Sequence, residues 1–202
     1  VVEVRLQGTR QTEFFVLSTG MGVGAIHPET AQKHQLPQTT EQVPLNLLSS
    51  TLQAPAVSTK SLFLNGAWVE GVTLGVFDVA SELSSRATST QEAPTGWIGN
   101  SILSLFQVTF DGANQQVTLE SPKTPLPKSA DAIQIPFTYK GGRIWVKVTV
   151  EGAKPFDAVL DTGTVGTLIP VEVGKQLSTL GQKTLTIQTK GKRGAVIQTP
   201  LP

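Results

Sequence analysis

The sequence predicts an all-β protein, and three observations carry that expectation. Apolar and polar residues alternate in short runs such as Val2-Glu3-Val4-Arg5-Leu6, the period of a strand with one buried face. Turn dipeptides stand between such runs. Asn65-Gly66 separates Ser61–Leu64 from Val69–Phe77, and Asp111-Gly112 separates Phe106–Phe110 from Gln116–Leu119. Helical signals are few and short.

Taken in order, Val2–Leu6 reads as the first strand and Gly8 as its turn. Phe14-Phe15-Val16-Leu17 reads as a short apolar strand. Pro28–His34 reads as a helix, because proline is tolerated in the first turn and Glu29 suits the amide-rich end. Asn100–Leu105 reads as a second short helix. Both turn dipeptides are expected to close hairpins, since Asn, Asp and Gly tolerate positive φ.

Composition narrows the function. The 202 residues carry a net charge of +1, without the basic excess of a dedicated nucleic-acid binder. Cysteine is absent, which removes disulfides, thiol catalysis and cysteine-ligated metals. Two histidines do not make a multi-histidine metal site, and no cofactor is expected. His27 and His34, seven apart, read as a surface pair. Trp68, Trp97 and Trp145 read as core or lobe-interface residues. No apolar run approaches the roughly 18 residues of a membrane span. Val1 begins on a strand pattern with no signal peptide, as in an exported or periplasmic protein after processing, or in a trimmed chain.

The chain divides at a proline-rich stretch. Pro122-Lys123-Thr124-Pro125-Leu126-Pro127-Lys128 disfavours helix and central strand alike, so 122–128 reads as a linker between units 1–121 and 129–202. The two units repeat each other. Val2–Gly8 reads like Val146–Gly152. Phe15-Val16-Leu17-Ser18-Thr19-Gly20 reads like Ala158-Val159-Leu160-Asp161-Thr162-Gly163. Ala25–Glu29 reads like Leu168–Glu172. Three matches in one order at nearly constant offset indicate duplication. The first unit is whole, and the second covers the first part of the same pattern.

Val159-Leu160-Asp161-Thr162-Gly163-Thr164 places a carboxylate after an apolar strand and before a tight glycine turn. Trp97-Ile98-Gly99-Asn100-Ser101-Ile102-Leu103, an apolar pair and glycine leading into a helix, accompanies it. Together these resemble the active-site loop and supporting segment of retropepsin-like and pepsin-like aspartic proteases. The resemblance implies a retropepsin-like acid-protease fold, with one complete lobe and the first part of a second.

It also implies hydrolysis of peptide bonds by carboxylate-activated water, with an extended peptide or protein as substrate. Two carboxylates, one per lobe, share a proton in that chemistry. Asp161 matches one of them. Ser18 stands where the partner Asp is expected, so the chain is expected to be inactive or impaired. Two origins fit Ser18: a lobe that has naturally lost its carboxylate, or an Asp→Ser replacement that traps an inactive form. Thr162, Gly163, Thr19 and Gly20 take the supporting places in the two loops.

The resemblance further implies a flap over the cleft. Ser49 and Ser50 fall in the matching region of the first unit, and Gly191 and Gly194 in that of the second. Lys190, Lys192 and Arg193 beside the latter read as a solvated turn. A non-catalytic peptide-binding or scaffolding pseudoprotease is the rival reading, because an extended peptide can pair with strand edges without being cut. The partial second unit leaves strand edges that suit a homodimer or strand exchange.

Overall fold

The computed structural model describes residues 1–47, 50–79, 93–125, 133–150, 154–164, 166–178, 184–189 and 192–197. The described chain is mainly strand, as expected. Strand β1 (Val2–Leu6) pairs antiparallel with β2 (Glu13–Leu17). Alternation sets their faces: Val4 and Leu6 of β1, and Glu13, Phe15 and Leu17 of β2, point inward.

After β3 (Ala25–Ile26) comes helix α1 (Pro28–Lys33), with proline in its first turn, Glu29 beside it and Lys33 in the last. Long strands β4 (Gln38–Asn46), β5 (Thr51–Leu64) and β6 (Ala67–Val76) form a meander. The Asn65-Gly66 turn between β5 and β6 takes positive φ at both residues, 38° and 102°, as a two-residue hairpin requires.

Strand β7 (Gly96–Ile98) lies between β2, to which it is parallel, and β3, to which it is antiparallel. β3 continues to β6, β6 to β5, and β5 returns to β1 through Arg5↔Phe63 and Leu6↔Leu62. Six strands thus close a barrel in the order β1-β2-β7-β3-β6-β5, and β4 lies outside on β5. Val4, Leu6, Phe15, Ile26, Leu62 and Leu74 fill it. Burying such side chains contributes roughly 1.5–3 kcal/mol each. A second cluster around Met21, Leu45, Ala56 and Trp97 sits beside it.

Helix α2 (Asn100–Leu103) follows β7, shorter than the expected Asn100–Leu105. Strands β8 (Gln107–Asp111) and β9 (Gln116–Glu120) form a separate hairpin. Its connection differs from expectation. The turn runs over four residues, Asp111 caps Asn114 through its side chain, and the positive φ falls at Gln115 rather than Gly112.

The second half repeats the first locally. β10 (Phe137–Lys140), β11 (Arg143–Val148) and β12 (Phe156–Val159) form a three-stranded sheet. The pairs Val146↔Ala158, Lys147↔Asp157 and Val148↔Phe156 reproduce Val2↔Phe15, Glu3↔Phe14 and Val4↔Glu13, so register follows the sequence repeat. β13 (Thr167–Ile169) and helix α3 (Val171–Ser178) follow, as β3 and α1 do. β13 then pairs with β15 (Lys192–Ile197), which pairs with β14 (Thr184–Thr189), whereas β3 pairs with β6 and β7. Leu160 is 49% exposed where its counterpart Leu17 is 7% exposed, because no barrel closes over it among the described residues. Residues 126–132 of the linker region lie outside the described residues.

Two expectations about single side chains are corrected. His34 is buried, not on the surface, because Glu13 takes it as a partner at 2.7 Å. Trp68 is 61% exposed on the barrel's outer face and rests against Phe63. Trp97 is in the core, and Trp145 is half-buried with Arg143 over its ring.

Candidate functional site

The loop after β2 and the loop after β12 meet. The Ser18 hydroxyl donates to Asp161 Oδ1 at 2.9 Å. Two backbone amides donate to the same oxygen, Gly163 at 2.8 Å and Gly20 at 3.2 Å. One carboxylate oxygen therefore collects three donors from both halves of the chain.

The threonines hold this arrangement. Thr19 N–H donates to Thr162 Oγ1 at 3.2 Å, and Thr162 N–H donates to Thr19 Oγ1 at 3.1 Å. Each hydroxyl donates onward to the strand end opposite: Thr19 to the Leu160 carbonyl at 2.7 Å, Thr162 to the Leu17 carbonyl at 2.9 Å. Leu17 and Leu160 are counterparts in the repeat, so exchanging 17–19 with 160–162 maps this set of bonds onto itself. The symmetry breaks at Ser18 and Asp161 alone in side-chain chemistry.

Small residues make the approach feasible. A Cβ on Gly20 would lie 2.3 Å from Asp161 Cγ, and one on Gly163 would lie 2.7 Å from Ser18 Cβ. Glycine at both places is a packing requirement.

The barrel anchors the first loop from behind. Ser18 N–H donates to Ile98 O of β7 at 3.0 Å. The first amides of α2, Asn100 and Ser101, donate to Met21 O and Gly22 O, both at 2.8 Å. Asn100 entered the sequence reading as the start of a helix and as part of the Trp97–Leu103 segment, with no role of its own. Its buried side-chain nitrogen donates to Thr19 O at 2.7 Å and to Gly142 O of the β10–β11 turn at 2.8 Å. This residue ties the two halves together a second time.

Two of the expected flap positions, Ser50 and Gly194, lie among the described residues. Ser50 is exposed at the turn between β4 and β5, where its carbonyl accepts from Leu47 N–H. Asn46, just before that turn, accepts from Gly22 N–H at 3.3 Å and so tethers the hairpin to the first loop. Ser49 and Gly191 lie outside the described residues. Gly194 lies within β15 opposite Ile187, on one arm of the β14–β15 hairpin.

A second polar cluster was not read from the sequence. Glu13 faces the barrel interior at the start of β2. Its Oε1 accepts from Lys33 at 2.8 Å and is 2.7 Å from His34 Nε2, and its Oε2 accepts from the Thr95 hydroxyl at 3.2 Å. Burial would raise its pKa. The hydrogen bonds from Lys33 and His34, the Lys33 charge and Thr95 outweigh that and hold it below the usual glutamate range. His27 instead meets Asp78 at 3.3 Å.

Among the described residues there is no group of three or more His, Asp or Glu placed to hold a metal ion. No described helix is long and apolar enough to cross a membrane. The chain matches no protein-family model and no curated protein by sequence.

Proposed function

We propose that the chain is a retropepsin-like aspartic-endopeptidase relative whose active-site pair has become Ser18–Asp161, so that it holds extended peptides but cuts them poorly or not at all. The observation that carries this reading is the reciprocal Thr19–Thr162 bonding, which sets Ser18 and Asp161 side by side at 2.9 Å. Peptide hydrolysis by water needs a base to take the water's proton and an acid to protonate the carbonyl oxygen. An ionised Asp161 can orient and deprotonate water. The Ser18 hydroxyl can donate a hydrogen bond but cannot deliver a proton as a carboxylic acid does. General acid–base assistance is worth roughly 10²–10⁴-fold, and losing half the pair costs at least that order. What remains is a polar centre that can orient a peptide carbonyl, beside strands whose edges can pair with peptide backbone.

The test is cleavage of an unfolded protein from about pH 3 to 7, across the carboxyl range. The chain is expected to show little or no cleavage. Ser18→Asp is expected to create activity with an acidic optimum, lost again on Asp161→Asn. Robust cleavage by the unmodified chain that vanishes with Asp161→Asn would overturn the single-carboxylate argument. Cleavage that survives Asp161→Asn would overturn the site.

A further inference from the structure

We infer that Asn65 is a modification site: the Gly66 backbone nitrogen displaces ammonia from its side chain, and water then converts the hairpin tip to aspartate and isoaspartate. Asn65 and Gly66 are the two exposed residues that join β5 to β6.

The chemistry needs nothing beyond solvent. The Gly66 nitrogen bonds Asn65 Cγ and gives up its proton. The Cγ–Nδ2 bond breaks, and the side-chain nitrogen leaves with that proton as ammonia. A five-membered cyclic imide remains, and water adds to one of its two carbonyls. Opening at Cγ restores the main chain and leaves aspartate. Opening at the main-chain carbonyl routes the chain through the side chain and leaves isoaspartate. Nothing is oxidised or reduced.

The four asparagines of the chain differ in what holds their amides. Asn46 accepts from Gly22 N–H and donates to Thr51 Oγ1. Asn100 is buried and donates to two carbonyls. Asn114 donates to Asp111. The Asn65 amide has no hydrogen-bond partner among the described residues. Asn65 is also the one followed by glycine, whereas Leu47, Ser101 and Gln115 place a side chain beside the attacking nitrogen. A Cβ on Gly66 would meet nothing within 4 Å, so that nitrogen is open to approach. Both tip residues hold positive φ in the closed turn. The attack geometry is reached as the tip opens, and local opening costs least at exposed turns.

The other turn dipeptide is a contrast. Asp111 accepts from the Asn114 side-chain amide and from its N–H, and these bonds hold its pKa below the usual aspartate range. Its ionised carboxylate lacks a ready leaving group, so Asp111-Gly112 does not close the same ring readily.

The products differ in consequence. Either one adds a carboxylate to a pocket of about 300 Å³ that Asn65 lines together with Arg5, Arg10, Thr12, Phe63 and Glu3. Two cations there against one anion favour the new charge. Aspartate keeps the turn, because Asp-Gly serves a two-residue hairpin as Asn-Gly does. Isoaspartate adds a methylene to the main chain between Leu64 and Ala67, which face each other across the tip. It therefore disturbs this end of the hairpin, beside the Phe63–Trp68 contact.

The experiment is incubation of the folded chain in mildly alkaline buffer, followed by intact mass and peptide mapping. Conversion at Asn65, a gain of one mass unit, is expected at least tenfold faster than at Asn46, Asn100 or Asn114. Part of the product is expected to accept a methyl group from S-adenosylmethionine through a protein-isoaspartate methyltransferase. Gly66→Ala is expected to slow conversion at least tenfold. Conversion at Asn65 no faster than at the other three overturns the proposal. So does a folded chain that stays intact at Asn65 while the urea-unfolded chain converts, because the closed turn then protects the site. Undiminished conversion in Gly66→Ala, or a product with no isoaspartate, overturns the route through the Gly66 nitrogen. None of these readouts depends on activity at Ser18 and Asp161, so they stand apart from the proposed function.

Discussion

Thr19 and Thr162 hold each other by the same bond run in both directions: each amide donates to the other's hydroxyl, at 3.2 and 3.1 Å. Thr19 is buried, and its hydroxyl also donates to Leu160 O. Thr19→Val therefore strands one donor and one acceptor between the halves. Urea unfolding is expected to show a loss of about 1–3 kcal/mol, the net worth of two hydrogen bonds at roughly 0.5–1.5 kcal/mol each. A loss under about 0.3 kcal/mol would mean that water replaces these bonds freely.

Gly20 has no room for a methyl group, since a Cβ there would fall 2.3 Å from Asp161 Cγ. Gly20→Ala is expected to push the two loops apart and to break the Ser18–Asp161 bond while the barrel stays folded. Amide hydrogen exchange should rise at residues 18–20 and 161–163 and stay unchanged in β5 and β6. Uniform exchange across the protein would contradict this.

Glu13 sets a pH dependence. Its pKa is lowered in the folded state, so the unfolded chain binds its proton more readily. The stabilisation is fully present above the ordinary glutamate range and is lost as pH falls through the lowered native value. Glu13→Gln is expected to destabilise the protein at pH 7 by roughly 1–3 kcal/mol, because the charge-assisted hydrogen bonds that Glu13 accepts become bonds to a neutral amide. The difference from the unmodified chain should shrink below about pH 4. A mutant penalty that is the same at pH 7 and at pH 3 would contradict the assignment.

The two hairpin glycines are expected to respond differently to alanine. Gly66 sits at φ 102°, where a side chain is strained, and Gly66→Ala should cost about 1 kcal/mol. Gly112 is not in that region and has open space around its would-be Cβ, so Gly112→Ala should be neutral or gain about 0.4–1 kcal/mol. Thermal unfolding of the two variants side by side decides it.

The same pair of turns shows what the sequence could convey. Asn65-Gly66 was legible because a two-residue hairpin demands positive φ at both places, and these residues supply it cheaply. Asp111-Gly112 looked equivalent, but Asp111 uses its side chain to cap Asn114 and lengthens the turn. The meeting of 17–20 with 160–163 was legible through the repeat, which is a pattern and not a local propensity. Burial of His34 was not, because its partner Glu13 lies 21 residues earlier on another element. Asn100 was hidden similarly, as its two acceptors are backbone carbonyls, which leave no mark on residue type.

The span of the contacts fixes when the site comes into being. The Asn65-Gly66 hairpin joins Leu64 to Ala67, three residues apart, and can form as soon as the local chain exists. Barrel closure joins Leu6 to Leu62. The Ser18–Asp161 bond joins residues 143 apart. Longer loops cost more entropy to close and order later, so assembly proceeds from hairpin to barrel to paired loops. During refolding, tryptophan fluorescence from buried Trp97 should recover before any ligand can sense Asp161. On the ribosome, residues 1–120 are made before Asp161 and can begin to fold ahead of it, leaving the Ser18 loop exposed for that interval as a half-site awaiting its complement.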